Sequence, residues 1–378
     1  MEYRKWYDQE LKTSLLGLGA MRLPKKDNTT LEIDEKEAIK MIRTAIDSGI
    51  NFIDTAYIYN DGESEKIVGK ALQDGYRSKV VLSTKIPLWL VNSEEDLELL
   101  FSEQLDRLKT NYVDLFLFHA LDRNSLEKMI TLNCFQFLDK KLKEGHIGSV
   151  GFSFHDECSY FKELINAYKW DACMLQFNFI DQESQAGIEG IEYATQKKVS
   201  IIVMEPLKGG LLCTPPDEVK NIINEHTPQL NMIEWSFKWI SNFVGVKTIL
   251  SGMSNIKMLE DNISYFEHSE SIPLTISDKE MLDKVRSLYL SRGTIECTNC
   301  QYCLPCPSGV QIPINFMIYN ENKVYNALGV SQNKYREWLD EDTSALKCTG
   351  CKLCEERCPQ KISISNILRD IKKEFLEE

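Results

Sequence analysis

The sequence predicts an α/β protein in two parts, an eight-stranded parallel (β/α)8 barrel of the TIM type followed by a small α+β cysteine-rich module. Three observations carry this: eight short apolar runs that each precede a helical pattern, a sharp change of composition near Gly293, and eight of the twelve cysteines confined between Cys297 and Cys358. At 378 residues the chain exceeds the usual size of one core, so a large and a small domain are the natural division. The expected boundaries are 1–290 for the barrel and 291–378 for the module.

The strand candidates run in order from LLGLGA near Leu16, NFIDTA from Asn51, KVVLST from Lys79 and YVDLFLF from Tyr112 to IGSVGFS from Ile147, ACMLQF from Ala172, SIIVME from Ser200 and VKTILSG from Val246. Runs rich in β-branched residues that alternate with longer amphipathic stretches are the sequence form of repeated βα units. The stretch from Asp34 shows the helical half: Asp34 is a fitting N-cap, Glu37 stands at N3, and Ala38, Met41, Ile42 and Ala45 recur at helical spacing before Gly49. Eight such units close into a barrel. LKTSLLGL alternates poorly and is expected as a short hairpin beneath it, and Gly17 and Gly19 are read as easing a turn into the mouth. After Asn262 the alternation ends, and SDKEMLDKVRSLYL is expected as the helix that leads to the cysteines.

A net charge of -13 argues against binding to nucleic acid or an anionic membrane, both of which need a positive surface. No run is apolar and long enough to span a bilayer, and the start shows no export signal, so the expected location is the cytoplasm. There thiols stay reduced, and metal or catalytic roles outrank disulfides. Cys134, Cys158, Cys173 and Cys213 are scattered among apolar neighbours and are expected as packing residues.

The other eight form two motifs, Cys297-x2-Cys300-x2-Cys303-x2-Cys306-Pro and Cys348-x2-Cys351-x2-Cys354-x3-Cys358-Pro. Three thiolates at successive x2 spacing can wrap one face of a cubane, and the distant Cys-Pro supplies the fourth ligand to the other cluster. Two [4Fe-4S] clusters are therefore expected, one on Cys297, Cys300, Cys303 and Cys358, the other on Cys348, Cys351, Cys354 and Cys306. The module resembles bacterial ferredoxins, with x2 where they have x3 before the first Cys-Pro and with an insertion of about forty residues, read as holding a helix with Tyr325, Tyr335 and Trp338. A pair of four-cysteine zinc sites is the competing reading, but zinc modules present two CxxC pairs without a third step and a Cys-Pro.

In a βα barrel the reactive groups belong at the carboxyl ends of the strands. Asp54 ends the second strand, Tyr59 lies five residues on, Lys85 ends the third and His119 the fourth. In DTAYIY, STK and DLFLFH the chain resembles the aldo-keto reductase superfamily, over roughly residues 12–265. That resemblance implies a catalytic tetrad of Asp54, Tyr59, Lys85 and His119 and reduction of an aldehyde or ketone by NADH or NADPH. Tyr59 would be the general acid, Lys85 would lower its pKa, Asp54 would hold Lys85, and His119 would orient the carbonyl. It also implies Ser153 and Gln176 as carboxamide contacts, Met204 where an aromatic ring usually stacks, and Gly252 and Asn262 on the adenosine side. Phe154 and His155 stand where the family commonly has Asn, and Lys257 is the cation nearest the last strand, which points to NADH. Trp89 and Leu88 are candidates for the substrate wall. The small-molecule carbonyl substrate itself is unspecified.

Two other functions fit the same residues. The clusters would pass single electrons between the barrel and a ferredoxin or another redox protein, with FMN converting one-electron to two-electron chemistry, although no flavin motif is seen. Alternatively, the barrel would be a redox-sensing regulatory subunit, which would not need all four tetrad residues.

Overall fold

The computed structural model describes residues 1–7, 10–26, 32–267, 273–293, 295–297 and 299–377. The chain divides into two compact units, one of Met1–Pro206 with Ser236–Leu274, the other of Leu207–Trp235 with Thr275–Glu378.

In the first unit a two-stranded antiparallel hairpin, β1 (Tyr3–Lys5) and β2 (Lys12–Ser14), precedes eight parallel strands: β3 (Leu16–Gly19), β4 (Phe52–Asp54), β5 (Val81–Ile86), β6 (Val113–Leu121), β7 (Ile147–Phe154), β8 (Ala172–Gln176), β9 (Ser200–Met204) and β10 (Val246–Ser251). These close in chain order, with β10 pairing back onto β3. All eight strand candidates are found, but the hairpin is displaced from LKTSLLGL: that stretch supplies only its second arm, Lys12–Ser14, the first arm is Tyr3–Lys5, and Leu16 onward is already the first barrel strand. Trp6 from the hairpin is buried in one cluster with Phe52, Leu115, Leu117, Met174 and Ile202, and its Nε1 donates to Thr13 Oγ1 at 3.0 Å. The hairpin thus fills part of the barrel interior.

Helix α1 (Glu35–Asp47) starts as its sequence predicts, with the Asp34 side chain accepting from Glu37 N at 3.1 Å. Helices α2 (Glu63–Ala71) and α3 (Glu94–Leu108) follow β4 and β5. They meet at Gly69, where an added Cβ would lie 2.4 Å from Arg107 O. Gly17 has a similar cause. It stands inside β3 rather than at a turn, because a Cβ there would come within 2.6 Å of Thr248 Cγ2 across the barrel wall.

Among its described residues the second unit is helical and contains no strand: Asp217–Asn224, Ile276–Ser291, Ile312–Tyr325, Leu328–Trp338, Leu353–Arg357 and Ile364–Phe375. The helix before the cysteines begins at a capping box formed by Thr275 and Asp278. The insertion between the motifs differs from its expected single helix. Asn326, at φ 52°, breaks it, leaving Tyr325 in one helix and Tyr335 and Trp338 in the next. Tyr335 pins that second helix: its hydroxyl donates to Asn315 Oδ1 and accepts from Ala345 N at 2.9 Å, all of it buried.

Of the scattered cysteines, Cys134 and Cys173 are fully buried, and burial pushes both thiols well above their usual pKa, Cys134 to about 12. Cys158 is half-buried and Cys213 is exposed, so packing does not explain all four as the sequence reading had it.

Candidate functional site

The tetrad candidates come together at the carboxyl ends of β4, β5 and β6. The buried Lys85 ammonium donates to Asp54 Oδ2 at 2.6 Å, to Thr55 O at 2.9 Å and to Tyr59 Oη at 3.0 Å. Its Nζ also lies 4.5 Å from the centre of the Tyr59 ring. Burial opposes the charge on Lys85. The Asp54 carboxylate and the hydrogen bonds to Asp54 and Tyr59 outweigh that penalty and hold the lysine above its ordinary pKa.

The sequence reading has Lys85 lowering the pKa of Tyr59. Lys85 does act in that direction, but burial acts the other way, is larger, and is reinforced by the Asp54 carboxylate and by Glu205. The phenol therefore stays protonated above its usual range, as a proton donor must at neutral pH. His119 packs edge-on to Tyr59 with ring centres 5.7 Å apart, and the Trp89 ring lies 5.4 Å from it. Burial first, and then Lys85 and His155, lower the His119 pKa to about 3. Its imidazole is neutral, and among the described residues its buried Nδ1 has no hydrogen-bond partner.

Local backbone features aim these groups. The β6–β7 register shifts between Phe118 and Leu121, Ala120 takes φ 50°, and its N–H donates to Ser153 Oγ at 2.7 Å, so His119 projects from a bulge anchored by Ser153. Tyr59 opens a tight turn in which Asn60 and Asp61 are both left-handed, at φ 52° and 53°. Arg107 lies beneath this turn: it donates to Tyr57 O at 3.1 Å and to Glu65 Oε2 at 3.2 Å, and a Cβ on Gly62 would meet its guanidinium at 2.8 Å. Glu65, wholly buried, also accepts from Thr84 Oγ1 at 2.6 Å and Gln104 Nε2 at 2.9 Å, while Gln104 donates to Lys85 O at 3.1 Å. This network fixes the backbone on both sides of the Lys85–Tyr59 pair. The sequence reading missed it, and the only available signal was two polar residues, Glu65 and Gln104, on apolar helix faces.

The residues assigned to the cofactor lie at other strand ends. Gln176 closes β8 and accepts from Gln185 Nε2 at 2.8 Å, and Met204 closes β9 in register with it. Asn262 is buried and donates to Ser251 Oγ at 2.9 Å, beside Gly252. Lys257 is exposed and held by Asp261, with both contacts at 3.1 Å. Arg22, which the sequence reading passed over, lies along Gly252, where an added Cβ would be 3.5 Å from its Cδ. Leu88 is buried and Trp89 about half exposed at 48%.

In the second unit the eight motif cysteines fall into two sets. Cys297, Cys300, Cys303 and Cys358 line one cavity, and Cys306, Cys348, Cys351 and Cys354 line another; Ile312 borders both. These are the sets the motif reading expects. The duplication extends to the backbone. Asn299 and Gly350, Gln301 and Lys352, and Gly309 and Lys361 are all left-handed at matching places. The N–H groups of Gly309 and Lys361 each turn back to the carbonyl of the cysteine three residues before, at 2.9 and 3.2 Å. Four thiols around a shared space, with the chain winding past them through left-handed residues, fit the ligand set of a four-iron cluster.

A (β/α)8 barrel with an Asp, a Tyr, a Lys and a His gathered at its mouth has the fold and the candidate site of an oxidoreductase. Residues 15–287 match the Aldo/keto reductase family, and residues 296–362 match the 4Fe-4S dicluster domain. The chain belongs to the aldo/keto reductase family and carries an iron–sulfur domain after the barrel. It is 28% identical over 295 residues to the uncharacterized oxidoreductase YqkF of Bacillus subtilis, covering 70% of this chain and 90% of that protein. It is also 25% identical to the L-galactose dehydrogenase of Arabidopsis thaliana, covering 76% of this chain and 94% of that one. Among solved structures, the holo form of the aldo-keto reductase AKR11C1 of Bacillus halodurans aligns with a TM-score of 0.64 at 24% identity, over 75% of this chain and 96% of that chain. An aldo-keto reductase from Klebsiella pneumoniae in complex with NADPH aligns at 0.59 and 21% identity, over 76% and 96%.

Proposed function

We propose that the protein reduces an aldehyde or ketone with a nicotinamide cofactor, and that its second unit holds two [4Fe-4S] clusters. The observation that carries the first half is the contact between Lys85 Nζ and Tyr59 Oη, 3.0 Å apart in a buried site. When bound, the reduced nicotinamide supplies a hydride to the carbonyl carbon. The chain's part is to handle the oxygen. Tyr59, kept protonated by burial, donates its proton to the developing alkoxide as a general acid. Lys85 then stabilises the phenolate that is left, and Asp54 keeps Lys85 charged and in place. The neutral His119 would donate its ring N–H in a hydrogen bond to the same oxygen, without the acidic second proton of an imidazolium.

Ser153, Gln176 and Met204 would hold the nicotinamide end of the cofactor, and Gly252 and Asn262 the adenosine end. The preference for NADH over NADPH rests on Lys257 being tied to Asp261. For the clusters, Cys297, Cys300, Cys303 and Cys358 would ligate one, and Cys306, Cys348, Cys351 and Cys354 the other. Burial, or the lack of it, favours a second reading for this unit. Cys300 and Cys351, the middle cysteines of the two motifs, are exposed, so each cluster would come close to the surface and could exchange electrons with a soluble redox protein.

One anaerobic experiment tests the reading. Protein with its iron incorporated is mixed with NADH or NADPH, with and without a simple aldehyde. Steady turnover with aldehyde is expected in the native protein, and Tyr59→Phe should lose about 100-fold or more of kcat while still binding the cofactor. Equal turnover by Tyr59→Phe would remove the general-acid role. Rapid cluster bleaching by nicotinamide alone would favour the electron-transfer reading.

A further inference from the structure

The two cysteine motifs share a backbone and differ in what faces the cavities. In Cys297-Thr-Asn-Cys300-Gln-Tyr-Cys303 and Cys348-Thr-Gly-Cys351-Lys-Leu-Cys354, the residue after the middle cysteine is left-handed in both, Gln301 at φ 62° and Lys352 at φ 63°. Each of these residues lines its own cavity. At this shared position one motif carries a neutral amide and the other an ammonium. The remaining walls are largely apolar in both: Pro313, Phe316, Ile362 and Ile364 with Gln360 border the first cavity, and Leu368 with Ser308, Thr349 and Ser365 borders the second, so the contrast between the two lies at this one position.

A cluster that takes up one electron, with no proton, becomes more negative by one charge. Nearby positive charge and polar groups stabilise the reduced form and raise the potential, and an apolar wall lowers it. We propose that the cluster on Cys306, Cys348, Cys351 and Cys354 has the higher reduction potential of the two and receives the first electron from a one-electron donor, and that Lys352, set against Gln301, fixes this order. The inference rests on the two-cluster reading above. Glu355, next to Cys354, acts in the opposite direction. Its carboxylate accepts from Ser365 N at 2.8 Å and from Ser365 Oγ at 2.6 Å, and the Lys352 ammonium lies in its field, so part of its charge is compensated.

The consequence is an ordered module. The half-reduced protein is one species, with its electron in the cavity of the second motif, and the first cluster is reduced only under a stronger donor.

The native positions provide the test. Gln and Lys each occupy the same left-handed conformation, so exchanging them carries little folding cost. The full chain, assembled anaerobically, is titrated with dithionite and mediators, its reduced-cluster spins are read by electron paramagnetic resonance at each potential, and its iron is counted. Two separated midpoints are expected in the native protein. Lys352→Gln should lower the upper midpoint and leave the lower one in place, Gln301→Lys should raise the lower one, and the double exchange should reverse which signal appears first. Coincident native midpoints, or an upper midpoint that stays fixed in Lys352→Gln, would overturn the proposal while about eight irons per chain left the two-cluster reading intact. Substantially fewer irons in the native protein would remove that reading and the inference with it.

Discussion

His119 and Tyr59 differ in the direction burial moves them, and the difference sets a pH profile. Burial disfavours the charged form of each, so the imidazole pKa falls from 6.5 to about 3 and the phenol pKa rises above 10.0. In the free enzyme both groups are therefore neutral from acid to mildly alkaline pH. Because kcat/KM reports the ionisations of the free enzyme, its profile should be flat through pH 5 to 8 and fall only on the alkaline side, where Tyr59 loses its proton. A step near 6.5 that vanishes in His119→Asn would show that His119 titrates and that this account of the site is wrong. The residues gathered at this site were legible because a barrel places strand ends on one rim, so a titratable residue after an apolar run is already localised. The net direction of the Tyr59 shift was not legible, because it depends on how much burial outweighs Lys85, and burial is a property of the folded chain. Arg107 was hidden for a related reason: it lies at the far end of α3, and only the packing of α3 beneath the Tyr59 turn brings it to Tyr57 and Glu65.

Between elements, the most exacting contact near the site is the crossing of α2 and α3. Gly69 faces backbone there: an added Cβ would stand 2.4 Å from Arg107 O and 2.7 Å from Leu108 C, and neither can move without shifting the end of α3. Gly69→Ala should therefore destabilise the barrel unit by about 1–3 kcal/mol, the usual cost of overpacking, and lower its thermal midpoint by several degrees. Because the displaced segment contains Arg107, which holds Tyr57 O, turnover should fall along with stability. Gly75→Ala is the comparison, since nothing lies within 4 Å of a Cβ there and only its left-handed φ of 84° is at stake. Equal midpoints for Gly69→Ala and the native protein would mean the helices separate freely. At this scale periodicity was a reliable guide to the strands and to α1, whose apolar spacing and cap are local. It failed in the insertion, where the break at Asn326 depends on a left-handed residue that the amphipathic pattern does not reveal. Gly17 was misplaced because a glycine needed for room against Thr248 looks, in sequence, like a glycine needed for a turn.

The two units differ in what holds them together, and this separates their responses to loss of iron. The barrel unit closes on itself through eight paired strands and a buried interior that includes Trp6. In the second unit Cys358 is part of the buried core with Phe316, Ile364, Leu368 and Phe375, and Cys297, Cys303, Cys306, Cys348 and Cys354 pack against it. The segments carrying these cysteines contain no strand among the described residues, and their helical part is the five-residue turn Leu353–Arg357. Their fixed course therefore depends on the ligands they would supply, and in such domains binding free energy is folding free energy. Other parts of the unit have supports of their own. His226 Nε2 meets Asp278 Oδ1 at 2.8 Å, Arg292 meets Glu218 at 3.0 Å, and Tyr335 is locked to Asn315. Stripping the clusters with a chelator under oxidising conditions should thus open the two cysteine segments, residues 296–309 and 348–362, and leave the rest folded. Limited proteolysis read by mass spectrometry should show cleavage in those two segments roughly tenfold faster or more, the barrel's cooperative thermal transition persisting at its original midpoint. Cleavage spread evenly along the chain would mean that the barrel depends on the clusters for its stability. Unchanged cleavage would mean that the cysteine segments are held by their apolar contacts alone.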